Sequence, residues 1–154
     1  MRLLSLFCLL FALSLVPATS ADHGDTAPVT ELCMGDLAVN CRDCQYQCDM
    51  LIDYCLKKGG KWAAPERISI LRDCSDISQL CSSLVSRHNL PFDQSKFAKK
   101  ACQLCSDACA EVQASMTSLP PNKYVKNYLK HVADCQTICN EWWNPHRRQA
   151  TLVK

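Results

Sequence analysis

Glycine and proline are scarce in this sequence, with four Gly and seven Pro in 154 residues. That scarcity excludes collagen-like repeats and flexible low-complexity segments, and the length fits a single domain. Charge of one sign is also missing, because 17 basic side chains are set against 15 acidic ones and the formal net charge is +2. So balanced a charge gives no general electrostatic reason to bind nucleic acid or an anionic membrane. We therefore expect no nucleic-acid partner.

Long apolar runs are absent after the N-terminus, where one extends from Leu3 to Val16 behind the basic Arg2. It leads into small residues suited to cleavage after Ser20 or Ala21, so residues 1–20 are predicted to be a secretory signal peptide. The run is short for a membrane span. We expect an exported protein, periplasmic or secreted, with no membrane segment after cleavage. Polar residues 21–32 are predicted to be a flexible N-terminal tail.

Cysteine, in contrast, is abundant, with 13 residues in the chain. Cys8 is lost with the signal peptide, which leaves an even number of thiols in an oxidising compartment. Composition and compartment together favour disulfides, and a site for a soft metal is the alternative. The spacing of the cysteines has to decide between the two.

Helical periodicity continues from residue 33 to residue 144, interrupted by clusters of Gly, Pro and Asn. These breakers predict four helices, at 33–58, 65–88, 93–117 and 121–143. Short connections make successive helices antiparallel neighbours. The predicted fold is therefore all-α, an up-down-up-down antiparallel four-helix bundle over residues 33–144 with a cysteine-lined core. Residues 145–154 are predicted to be a basic C-terminal tail.

Steps of three and four residues predict which positions face the core. These positions are Met34, Leu37, Cys41, Cys44, Cys48, Leu51 and Cys55; Ile70, Cys74, Ile77, Cys81, Leu84 and His88; Ala98, Cys102, Cys105, Cys109, Val112 and Met116; and Tyr128, His131, Cys135, Ile138 or Cys139, and Trp142. Two cysteines at this spacing on one helix have Cβ atoms about 5 to 6 Å apart, too far for a disulfide. Such pairs can instead hold a small soft cation.

Thiolates select Cu(I), Zn(II) or iron–sulfur clusters. A structural zinc site uses four ligands, so one or two zinc ions would leave most of these sulfurs unused. Cu(I) paired with one thiolate equivalent is neutral, whereas uncompensated charge in a buried core costs about several kcal/mol per ion. We therefore predict many Cu(I) ions, roughly as many as there are core thiols.

Residues 41–143 resemble the cysteine-rich four-helix-bundle copper storage proteins of bacteria, the Csp family. The resemblance rests on Cys41-x-x-Cys44-x-x-x-Cys48, on Cys74 with Cys81 seven residues later, on Cys102-x-x-Cys105-x-x-x-Cys109, and on Cys135-x-x-x-Cys139. It implies an exported copper store or buffer that is not an enzyme, with Cys-Cu-Cys units in the core. It also implies a homo-oligomer, since tetramers are known in exported members. As partners we expect copper ions and a copper-donor or copper-accepting protein. The fourth helix carries only two cysteines, so its capacity is expected to be lower.

Further candidate ligands, with thioether, imidazole or thiol groups, lie near the ends of this predicted cysteine core. Cys33, Met34 and His88 are expected to meet at one end, and Cys55 and Met116 at the other. His131 lies between the ends and is a further candidate ligand. We predict that the Met34 end is the mouth, because thioether and imidazole groups pass Cu(I) inward without losing a proton.

Two other functions fit part of the pattern. A disulfide-stapled helical binding module would pair cysteines across helices near loops, and a zinc or cadmium thiolate buffer would use the same core sulfurs. A redox enzyme is disfavoured, because a reactive Cys-x-x-Cys lies at a helix N-terminus, whereas Cys41 and Cys102 lie within helices. No Ser/His/Asp set or phosphate loop is apparent.

Overall fold

Four long helices make up most of the protein in the computed structural model, which describes residues 34–87 and 95–144. They are α1 (Met34–Lys58), α2 (Pro65–Ser86), α3 (Lys96–Thr117) and α4 (Lys123–Trp143), with a short 3-10 helix at Gly60–Ala63. Within the described residues there is no strand, and no helix has the length and apolarity needed to cross a bilayer. The predicted all-α class is confirmed. The predicted segments 1–20, 21–32 and 145–154, like Cys33 and His88, lie outside the described residues.

Local sequence explains where the helices begin and end. Asn122 accepts hydrogen bonds at its side-chain oxygen from the backbone N–H groups of Tyr124 and Val125, at 2.9 and 3.2 Å, and so caps α4. Pro65 occupies the first turn of α2, where a missing N–H costs nothing. Gly59 and Gly60 both have positive φ, 68° and 56°, which favours glycine at the turn after α1.

The start of α3 differs from the prediction. Its cap is Ser95, whose side chain accepts from the Ala98 N–H at 3.2 Å, so the helix begins at Lys96. The predicted start at residue 93 was too early, because a capping hydroxyl two residues later satisfies the first free N–H groups. Likewise α2 ends at Ser86, before the predicted end at residue 88.

Contacts between helices show that neighbours run antiparallel. The sulfurs of Cys81 and Cys102 lie 3.5 Å apart, and those of Cys74 and Cys109 lie 3.9 Å apart, so residue numbers fall along α2 as they rise along α3. The same reversal relates α1 to α4, where Cys41 meets Cys139 near one end. Main packing contacts join α1 to α2, α2 to α3, α3 to α4 and α4 to α1. The up-down-up-down bundle is confirmed.

Stacked layers, each with one residue from every helix, fill the interior. Contacts between side chains of different helices anchor the three central layers, which are Cys41, Cys81, Cys102 and Cys139; Cys44, Ser78, Cys105 and Cys135; and Cys48, Cys74, Cys109 and Val132. Steps of three or four residues along each helix then assign Leu37, Val85, Ala98 and Trp142 to the layer at the Met34 end, and Leu51, Leu71, Val112 and Tyr128, followed by Cys55, Ile68, Met116 and Val125, to the layers at the other end. Ten cysteines therefore occupy three consecutive layers, which we call the sulfur column. Apolar layers close it at both ends.

Candidate metal centre

Every cysteine in the described part of the chain is fully buried, with no solvent-exposed surface. All eleven are free thiols: Cys41, Cys44, Cys48, Cys55, Cys74, Cys81, Cys102, Cys105, Cys109, Cys135 and Cys139. A disulfide requires sulfurs about 2.05 Å apart, and the recorded sulfur contacts are 3.5 to 3.9 Å. Among the described residues the disulfide-stapled alternative is therefore wrong.

The cysteines that were predicted to face the core bring their sulfurs together across helices. The closest contacts are Cys81 with Cys102 at 3.5 Å, Cys44 with Cys109 at 3.6 Å, Cys41 with Cys139 and Cys105 with Cys135 at 3.8 Å, and Cys74 with Cys109 at 3.9 Å. Each of these contacts joins two different helices. A cation bound between such sulfurs would therefore tie the helices of the bundle together.

Three compact thiol groups arise from these contacts, each with all its sulfurs within 4.8 Å of one another. The upper group is Cys41, Cys81, Cys105 and Cys139; the middle group is Cys105, Cys109 and Cys135; and the lower group is Cys44, Cys74 and Cys109. Cys105 belongs to the upper and middle groups, and Cys109 belongs to the middle and lower groups. The three groups thus share members and form one connected set.

Hydrogen bonds between thiols lower the pKa values of some cysteines. Donation from neighbouring thiols, Cys139 first, lowers the pKa of Cys102 to about 5. Donation led by Cys109 lowers the pKa values of Cys44 and Cys105 well below the usual range, although burial opposes this. These three sulfurs are the ones on which the surrounding S–H groups favour a negative charge.

Other thiols in the core are held in the protonated form. Hydrogen bonding to neighbouring sulfurs, with burial adding to it, raises the pKa values of Cys41, Cys48, Cys81, Cys109, Cys135 and Cys139. For Cys135 the pKa is raised to about 11. Burial raises the pKa of Cys55, partly opposed by the Arg67 guanidinium. The resting core therefore keeps its negative charge low until a cation arrives to replace the protons.

This donor set is soft, because it contains sulfur and almost no oxygen or nitrogen. Soft thiolates suit Cu(I) and Zn(II) and exclude the hard cations that need oxygen ligands. The upper group alone could hold zinc, since sulfurs 2.3 Å from a tetrahedral ion lie about 3.8 Å apart. Zinc would satisfy four sulfurs in a closed site, whereas sulfurs shared between groups suit a metal that accepts bridging thiolates.

Comparison with known proteins agrees with this chemistry. The family model described as copper storage protein matches residues 33–144, which is the whole predicted bundle. The chain belongs to the copper storage protein family. Neither the curated proteins nor the solved structures contain a match to it. The buried cysteine groups of this copper storage protein can bind Cu(I), as the family resemblance implied.

Several predicted ligands of this copper storage protein lie away from the thiol groups. Cys55 is one layer below Leu51, which separates it from Cys48, and it shares its end of the bundle with the buried Met116. Met34 is partly buried against the core at the opposite end. His131 is half-buried beside Val132 and joins no thiol group. Their roles as ligands, like those of Cys33 and His88, stay predictions.

On α2 the predicted core face was partly wrong. Ile70, Ile77 and Leu84 are only partly buried, while Leu71, Ser78 and Val85 lie in the layers with the two cysteines. The face that enters the core is therefore rotated by about one residue, or 100°, for these positions. Apolar character favoured Ile77 over Ser78, but the smaller Ser78 lies in the core beside the Cys105 sulfur. At the other two positions both neighbouring residues are apolar, so hydrophobicity alone does not choose between them.

Ser78 was missed by the sequence reasoning. Its hydroxyl is fully buried and lies 3.5 Å from the sulfur of Cys105. Its position was available from spacing, because it follows Cys74 by four residues and precedes Cys81 by three. The three layers of the sulfur column have twelve side-chain positions, which we call corners. Ser78 and Val132 are the two corners that carry no thiol.

Proposed function

We propose that this protein is an exported, non-enzymatic store or buffer that binds many Cu(I) ions through the thiolates of the sulfur column. The observation that carries the proposal is the overlap of three thiol groups in a fully buried core. A single structural metal needs one closed group of ligands. Overlapping groups instead provide bridging sulfurs for several ions.

Charge supports a loading of about one Cu(I) per core thiol. Each Cu(I) that replaces one thiol proton leaves the net charge of the core unchanged, so filling does not build up buried charge. Ten thiols in the column and one at Cys55 set the scale of the capacity.

Anaerobic titration of the reduced protein with Cu(I) tests this function directly. Thiols are counted with a chromophoric reagent on the unfolded protein before loading, and bound copper is counted against a Cu(I) chelator. We expect the bound copper to be of the same order as the reactive thiols. Saturation after one or two equivalents would contradict storage.

A zinc or cadmium buffer is the second candidate, because the upper group has the number and spacing of sulfurs that a tetrahedral ion requires. Competition separates the two functions. Protein loaded with zinc is mixed with one Cu(I) equivalent per thiol, and the released zinc is measured. Full release supports copper storage, and retention of zinc in the presence of Cu(I) supports the zinc buffer.

We further propose that copper passes through the Met34 end, which we call the mouth. Among the residues that the structure describes, Leu37, Val85 and Ala98 are buried above the sulfur column at this end, and Met34 is partly buried against the core. The thioether of Met34, together with Cys33 and His88 that the sequence assigns to the same end, supports the Met34 end as the mouth.

Substitution of the soft residues tests the mouth. Met34→Leu combined with His88→Ala should slow copper uptake without lowering the final capacity, because these groups carry Cu(I) inward and do not store it. Met116→Leu is the matched control at the opposite end. Equal uptake rates in both variants would rule out the Met34 end as the mouth.

An exported location is supported by the apolar segment at 3–16, and N-terminal sequencing of the secreted protein tests cleavage after Ser20 or Ala21. The proposed copper-donor or copper-accepting partner and the homo-oligomer, a tetramer by family resemblance, belong to the same proposal. Light scattering of the empty and the copper-loaded protein tests the oligomeric state.

A further inference from the structure

The thiol groups share cysteines in a particular order along the bundle axis. Cys105 belongs to the upper and middle groups, and Cys109 to the middle and lower groups. Both residues lie on α3, four positions apart, which is about one helical turn. A continuous path therefore leads from the upper group to the lower group, with one shared sulfur at each junction.

From this overlap we infer that Cys105 and Cys109 are relay ligands, which pass Cu(I) from the upper group through the middle group to the lower group. The inference rests on the copper-storing function and adds an internal route to it. Cys41, Cys81 and Cys139 serve the upper group alone, and Cys44 and Cys74 serve the lower group alone.

A shared sulfur matters because the core is dry. All the sulfurs of the three groups are fully buried, so water cannot solvate a cation that leaves one group for the next. An unpaired cation in such surroundings is strongly disfavoured. A sulfur that belongs to both groups keeps hold of the ion throughout the transfer.

The transfer is a balanced ligand exchange. Copper remains Cu(I), and it gains a bond to a sulfur of the next group as it loses a bond to a sulfur of the group behind, while the shared sulfur stays bound. The proton of the incoming thiol moves to the thiolate that is released. The core therefore gains no net charge at any completed step.

Ser78 fixes the first junction in place. Its hydroxyl is 3.5 Å from the Cys105 sulfur and is fully buried. The neighbouring buried serines bond elsewhere, since Ser82 donates to the Ala38 carbonyl at 2.8 Å and Ser75 donates to Asp49 at 2.7 Å. The hard hydroxyl oxygen of Ser78 does not compete for Cu(I), so Ser78 is a positioning residue for the Cys105 sulfur.

Cysteine-resolved NMR with Cu(I), which is diamagnetic, tests the relay. The reduced protein, labelled with ¹³C at the cysteine Cβ, receives a few equivalents of Cu(I) anaerobically, and the Cβ signals are followed over time. In Cys105→Ala the Cys44 and Cys74 signals should respond at least about tenfold more slowly than in Cys81→Ala. Both variants lose one thiol, but only Cys105 is shared between groups.

A second pair of variants keeps the relay testable if a variant of the first pair does not fold. Cys109→Ala should delay the filling of the lower group relative to Cys74→Ala. The two variants are compared by the Cys44 signal, because Cys74→Ala has no Cys74 signal. Ser78→Ala should delay the Cys44 and Cys74 signals by less than Cys105→Ala does, and Ser82→Ala should not delay them. Far-UV circular dichroism checks that each variant is helical.

Each outcome has one meaning. Equal filling rates in both pairs overturn the relay but leave storage intact. A delay in the Cys41 and Cys139 signals of Cys105→Ala, in place of the Cys44 and Cys74 signals, supports the relay and puts the mouth at the opposite end. If the unsubstituted protein binds only one or two equivalents, the storage function itself fails.

Discussion

A buried cysteine in this protein acts both as a packing residue and as a ligand. As a thiol it is a small apolar side chain suited to a tightly packed interior, and as a thiolate it is a soft ligand. Because the ten sulfurs of the column are already buried next to one another, the protein needs no rearrangement of polar side chains to become a metal site. Capacity is then decided residue by residue, by which corners of the column carry sulfur.

Val132→Cys should raise the copper capacity by about one ion, because it adds a thiol to the layer of Cys74 and Cys109 and preserves neutrality. The side chain of Val132 is fully buried, and so similar a volume should cost less than about 1.5 kcal/mol of stability. Anaerobic titration measures the capacity.

The matched control for Val132→Cys is Leu104→Cys. Leu104 is next to Cys105 in sequence but is 48% exposed, so its thiol would lie outside the column. We expect no added copper that resists a competing chelator in this variant. An equal gain in the two variants would show that capacity follows the number of thiols and not their position.

At the scale of the elements, the helices carry the ligands, and contacts at the helix ends fix how far each helix is shifted along its neighbours. Asn122 caps α4 and also donates from its side-chain nitrogen to the Tyr54 hydroxyl at 2.8 Å, which joins α4 to α1. Arg67 of α2 donates to the Ser115 carbonyl near the end of α3, at 3.2 and 3.3 Å. Register matters here because a shift of one residue would move cysteines out of their layers.

Asn122→Ala should lower the free energy of unfolding by about 1 kcal/mol, because two N–H groups at the start of α4 lose their acceptor. Asn122→Asp is the matched control, since a carboxylate keeps the cap and favours a helix N-terminus, and it should retain most of the stability. Urea unfolding of the empty protein measures both. An equal loss in the two variants would assign the effect to the contact with Tyr54 instead.

Sequence was a good guide to α1 and α3, and a poorer one to α2. In α1 and α3 apolar residues and cysteines alternate in steps of three and four, and all the predicted positions from Leu37 to Cys55 and from Ala98 to Met116 are buried. On α2 the isoleucines and the serines compete for the core. Ser78 enters it because a hydroxyl can bond to a sulfur, and hydrophobicity alone does not reveal that. The cross-helix pairing of the sulfurs depends on register and could not be read from spacing within one helix.

The whole molecule couples its stability to the protonation of the core. Thiols in the unfolded chain titrate near a pKa of about 8.5. Raised pKa values, as in Cys135 at about 11, give stability that is complete below pH 8.5 and is lost as the pH rises through 11. Lowered values, as in Cys102 at about 5, give stability that is present above pH 8.5 and is lost as the pH falls through 5.

The empty protein should therefore be less stable at pH 10.5 and at pH 6 than near pH 8.5, as measured by the urea midpoint under reducing conditions. The raised pKa of Cys135 contributes to the loss on the alkaline side. Copper-loaded protein is the control, because it has the same lysines and tyrosines but its thiols no longer titrate. A decline of the same size in the loaded protein would show that other groups are responsible.

The layered arrangement also determines how such a molecule could be enlarged. One heptad inserted into each helix lengthens the bundle by about 10.5 Å and adds two layers, with up to eight new corners for sulfur. The cross-section stays the same, so the spacing between helices and the contacts that hold it are unchanged. The number of metal ions that such a bundle can hold therefore increases in proportion to the length of its helices.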